Sequence, residues 1–178
     1  LRPTGRRIDN SAYPMESFQL MIKAMIKESE IKRRGLIEKA VGNKQYADLW
    51  LYTTIHLFLP WRSTDYVWVR PPELPYDPDE TLKRIKNGTF SKKDAKLVAL
   101  RFIALLELDI RNPNKTDGAR NTQNLFYNFP ESEHYVLGLI LAIAAAHYYK
   151  TPKDPSFIKC KQIADRISIA EFYGPDYL

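Results

Sequence analysis

Cysteine occurs once, at Cys160, which excludes an internal disulfide framework and any site built from several thiolates. Glycine is scarce, and none of the seven lies in a phosphate-cradling loop. The chain has no nucleophile elbow and no metalloprotease motif. Its three histidines, His56, His134 and His147, stand far apart in sequence. The longest apolar run, 135–149, contains Gly138, is rich in alanine and falls short of a membrane span. The N-terminus begins at Leu1 and carries no apolar signal segment, so the native protein is expected to extend beyond this piece. Together these absences predict a soluble, cytoplasmic protein with no metal, no cofactor and no membrane partner.

What is present is helical periodicity. Pro14 suits a first helical turn, and Met21, Ile22, Met25 and Ile26 recur at helical spacing after it. A second block over 30–41 is interrupted by Gly35. Gly42 and Asn43 then precede a strongly apolar helix from about Lys44 to Leu59, ended by Pro60. Residues 66–69 alternate enough for a short strand or an extended segment. Asp77 reads as an N-cap with Pro78 at the first position and Glu80 reaching back, and Ser91 reads as the cap of the next helix. A polar loop over 111–128 leads to an apolar helix opened by Pro130 and Glu131, and Asp154-Pro155 opens the last one, stopped at Gly174. The expected fold is mostly α: a single helical domain of about six or seven helices, with at most a minor strand near 66–69. Residues 1–13 form a basic arm or linker ahead of a helical domain over 14–178. The alternative division makes 14–43 the end of a DNA-binding arm and 44–178 the start of a catalytic region.

A formal net charge of +6 favours an anionic partner. Arg2, Arg6 and Arg7 in the arm, with the Lys32-Arg33-Arg34 run, are the candidate nucleic-acid contacts; a solvated helix face is the bland alternative for the run. The acidic patch of Glu73, Asp77, Asp79 and Glu80 serves capping better than a metal ion, since no third anchored ligand stands near. His56, inside an apolar helix, reads as a hydrogen-bonded core histidine.

The stretch from Tyr46 to the end of Arg62-Ser63-Thr64-Asp65-Tyr66-Val67-Trp68-Val69 resembles the first arginine box of the tyrosine recombinase (phage integrase) family, in the flavour of its large transposon-borne integrases. There an apolar helix leads through a small turn to an arginine, two residues, an acid and an apolar run. The resemblance covers roughly residues 46–74. It implies a site-specific DNA recombinase in which a tyrosine hydroxyl attacks phosphate, and it makes Arg62 a catalytic arginine. The family's second arginine comes in a His-x-x-Arg box, for which His147-Tyr148-Tyr149-Lys150 offers a lysine instead. His147 is therefore not assigned as catalytic, and neither Tyr173 nor Tyr177 follows such a box.

On this reading the chain is a fragment that is inert alone, with the remaining catalytic groups downstream. Its partner would be duplex DNA, bound with little sequence preference, with self-association on it. The other reading, from a different class, is a non-catalytic helical interaction domain that binds nucleic acid or a protein.

Overall fold

Gly35 sets the first corner of the structure. This is a computed structural model that describes residues 15–59, 66, 69–109, 129–151, 156–158 and 169–174. Helix α1 spans Met15–Ile26, and Lys27, in an extended conformation, separates it from α2, Glu28–Arg33. Gly35 then adopts φ 60, a left-handed conformation that suits glycine, and starts α3, Leu36–Gly42. The block expected over 30–41 is thus two short helices. This break accounts for the chain having eight α-helices among the described residues, against the six or seven expected.

Asn43 caps α4, Lys44–Phe58, by accepting from the Gln45 amide. Leu49, Trp50, Leu51 and Ile55 on this helix are buried, and the Trp50 indole donates to the Met25 carbonyl, tying α4 to α1. Asp77 caps α5, Pro78–Lys86, accepting from the amides of Asp79 and Glu80. The Glu80 side chain does not close a capping box as expected. Its carboxylate takes the Arg84 guanidinium at 2.8 Å one turn on, where a cation is available. Ser91 caps α6, Lys92–Asp109, in a reciprocal box: its hydroxyl accepts from the Asp94 amide and the Asp94 carboxylate accepts from the Ser91 amide. No strand occurs among the described residues. At 66–69 the Val69 amide donates to the Tyr66 carbonyl, and neither of the two described residues there, Tyr66 and Val69, lies in a strand.

A single 3₁₀ turn, Glu131–Glu133, leads into α7, His134–Lys150. Every residue over 136–146 is buried, so this helix is apolar on all sides and must be surrounded. It packs against α3, α4, α5 and α6. The axis of the domain is therefore α7, and α4 is one of the helices around it. Gly138 faces α6 so closely that its backbone meets that of Ala95.

Phe157 and Ile158 are buried as expected but lie in a bend, outside the last helix. It appears as α8, Ile169–Tyr173, followed by Gly174 at φ 105. Phe172 and Tyr173 are fully buried, and cations from the first helices finish the C-terminus: the Arg34 guanidinium donates to the Tyr173 carbonyl, and the Lys39 ammonium to that of Phe172. Arg34→Ala should lower stability by roughly 1–3 kcal/mol, read in a urea melt, because it strands an acceptor and loosens Glu30. An unchanged midpoint would contradict this role.

Candidate nucleic-acid interface

The two described residues that flank the arginine-bearing stretch, Leu59 and Tyr66, meet in the core. Leu59 ends α4 in an extended conformation, as a residue before proline must, and its amide still donates to Ile55. Seven residues on, the Tyr66 side chain is fully buried, with its ring 4.6 Å from that of His56. The Tyr66 hydroxyl donates to the Leu59 carbonyl. The Leu59 carbonyl at the helix end is thereby satisfied. Both ends of the segment are anchored in packed, hydrogen-bonded core. Arg62 lies between them, outside the described residues, and so do Arg2, Arg6 and Arg7.

The Lys32-Arg33-Arg34 run divides. Lys32 is exposed at the end of α2. Arg33 is also exposed, paired with Glu30 at 2.7 Å. Arg34 turns inward, with 10% of its side chain exposed, and shares Glu30 while holding α8. Lys32 and Arg33 present charge to solvent; Arg34 joins helices.

The histidines are not brought together with this run. His56 is half-buried, its Nδ1–H donating to the Tyr52 carbonyl and its ring 4.1 Å from that of Tyr52. His147 donates from Nε2 to the Ala40 carbonyl, joining α7 to α3, and Lys150 pairs with Asp79 on α5 at 2.6 Å. The His147–Lys150 spacing thus serves two helix contacts. Burial holds both imidazoles below the ordinary histidine range; the hydrogen-bonded carbonyls oppose that shift, as does Asp48 for His147.

In the folded chain these rings stay neutral where the unfolded chain has begun to take up protons. Stability is then full above about pH 6.5 and falls as the pH drops below it. Thermal melts should show a lower Tm at pH 5.5 than at 7.5. His147→Gln should flatten that slope; an equally steep slope in the variant would remove His147 from the account.

Three acids of the patch are used by the fold: Asp77 caps α5, Asp79 holds Lys150 and Glu80 holds Arg84. Glu73 enters through its backbone carbonyl, which accepts from Arg101. No cluster of three or more metal-ligating side chains occurs among the described residues. None of the described helices is long and apolar enough to cross a membrane.

One feature had no sequence signal. A cleft of about 440 Å³ opens between the 70–73 segment, α6 and the end of α7, lined by Arg70, Pro71, Glu73, Arg101, Ala104, Leu105 and Tyr149. Its residues come from three distant parts of the chain, so no local pattern could have announced it.

The class defined by the described residues is an all-helical domain wrapped about one buried helix. No protein-family model, no curated protein and no solved structure matches the chain.

Proposed function

We propose that the chain is the helical, DNA-binding part of a tyrosine-type site-specific recombinase and that it contributes Arg62 to the scissile phosphate. The observation that supports this most is the joining of Leu59 to Tyr66, which fixes both ends of the segment carrying the arginine-box residues. A catalytic guanidinium works by standing ready where charge will develop, so a segment whose two flanking residues are held in a packed core suits it. Its planar fork can donate to two non-bridging oxygens at once, which a lysine cannot do. The attacking tyrosine and the second arginine would come from another part of the protein. Arg2, Arg6, Arg7, Lys32 and Arg33 would neutralise backbone phosphates and set affinity with little base discrimination.

The test is fluorescence anisotropy with a labelled duplex at several salt concentrations. Affinity should be modest, tolerant of sequence, and lower by orders of magnitude at about 200 mM than at about 50 mM salt if several phosphates are neutralised. Removing Lys32 or Arg33 should weaken all duplexes alike and reduce the salt slope by about one each. Binding that is missing at low salt, or insensitive to salt, would contradict the proposal. It would favour the second reading, a non-catalytic interaction domain, for which Leu97 and Leu100 are the supporting observation. Both are exposed leucines on the outer side of α6, 39% and 52% accessible.

A further inference from the structure

We propose that the cleft between the 70–73 segment, α6 and the end of α7 is a binding site for one nucleotide unit, a single phosphate carried on a flat ring system. The inference deepens the DNA-binding reading and rests on it for the biological source of the ligand, but the chemistry is that of the cleft itself.

Its volume, about 440 Å³, lies in the range of small-molecule sites. Two guanidiniums, Arg70 and Arg101, line it, and together they suit a phosphate, which accepts several hydrogen bonds from such forks. Pro71, Ala104 and Leu105 give it apolar wall, and Tyr149 adds an aromatic ring of the kind on which bases stack.

The parts are held in advance. Arg101 Nη1 donates to the Glu73 carbonyl at 3.0 Å, which fixes the side chain and leaves other N–H groups of the fork for a ligand. The Tyr149 hydroxyl donates to the Pro72 carbonyl at 3.2 Å and more weakly to that of Pro71. Its ring stands edge-on to Tyr148. The wall it leans on is a proline pair with fixed φ, so little ordering remains for a ligand to impose.

Charge narrows the ligand further. Burial, with the Glu73 carboxylate nearby, pushes the Tyr149 phenol above its ordinary value, so it stays neutral and does not repel an anion. Glu73 lines the same cleft with the opposite sign to the arginines. A carboxylate in the lining disfavours a di- or triphosphate relative to a single phosphate. The carboxylate is also an acceptor suited to a sugar hydroxyl or a base N–H. A nucleoside monophosphate unit matches this set, whether free or as one residue of a strand.

The test titrates the protein, followed by NMR, with thymidine 5′-monophosphate, thymidine, inorganic phosphate and a short single-stranded oligothymidylate. Saturable binding of the monophosphate is expected, with thymidine and inorganic phosphate each at least about tenfold weaker, since each lacks half the recognition. Tyr149→Ala and Arg70→Gln, confirmed as folded by their melting curves, should each weaken it by about tenfold. A tighter grip on the oligothymidylate assigns the site to a DNA strand, and a tighter grip on the free monophosphate assigns it to a free nucleotide; both support the site. It is overturned if the monophosphate shows no saturable shifts, if inorganic phosphate binds equally well, or if both variants bind unchanged. Duplex affinity through the basic arm is measured separately, so loss of this site and loss of the DNA-binding reading are told apart.

Discussion

Replacing Gly138 with alanine is expected to be among the most damaging single-methyl changes in this chain. An added Cβ would sit 1.8 Å from the Ala95 carbonyl oxygen and 2.5 Å from its carbon, both backbone atoms of α6. A flexible side chain could swing aside, but a helix backbone cannot. The two helices would have to separate along a contact that includes the buried Ala95, Val98, Ala99 and Phe102 of α6. Alanine's better helix propensity returns only about 1 kcal/mol. Overpacking against backbone costs more than the usual range, so a net loss of roughly 3 kcal/mol is expected. In a domain of this size that lowers Tm by roughly 6–12 °C. Gly42→Ala is the control, because nothing lies within 4 Å of its added Cβ. Melting curves of the two variants side by side check the prediction. Equal Tm values would mean that α6 and α7 do not meet as closely as described.

That contact shows where sequence reading stops. The caps were legible because capping is local: Asn43, Asp77 and Ser91 each act on an amide two or three residues away. The end of α4 was legible for the same reason, since Pro60 constrains its neighbour directly. Gly138, by contrast, looks like a flaw in an apolar helix until Ala95 is placed against it. The central position of α7 was hidden too. An unbroken apolar run has no periodicity to distinguish a helix surrounded on all sides from one half covered. The bend at 157–158 was hidden as well, because proline after a capping residue is permissive of a helix start and does not compel one.

The candidate site divides along the same line. The order of residues around Arg62 could be read directly, as could the aromatic character of its flanks. The hydrogen bond from Tyr66 to Leu59 could not, because a seven-residue closure depends on where the core holds both ends. The partners of His147 and Arg34 were likewise out of reach. Ala40 and Tyr173 are more than a hundred residues away from them in the chain, and they are backbone acceptors that carry no side-chain signal.

The second large effect concerns Arg62, on which the functional proposal turns. A guanidinium reserved for phosphate contributes little to the stability of the free protein, and substitution there is expected to be near neutral or slightly stabilising. The same change should remove transition-state stabilisation from strand cleavage. Loss of one such donor costs roughly a hundredfold to a thousandfold in rate. Lysine should recover only part of this, because it supplies charge without the two-pronged geometry.

The most direct measurement pairs a melting curve with a cleavage assay. The full-length protein is incubated with duplex substrate, and the covalent protein–DNA adduct is quantified for the native protein, Arg62→Lys and Arg62→Ala. Melting curves of the same three proteins are recorded alongside. The account predicts adduct formation that falls in that order, to at most about one-hundredth for alanine, with Tm values that agree within experimental scatter. Adduct yield retained in Arg62→Ala, together with a Tm lower by several degrees, would make Arg62 a structural cation and contradict the assignment.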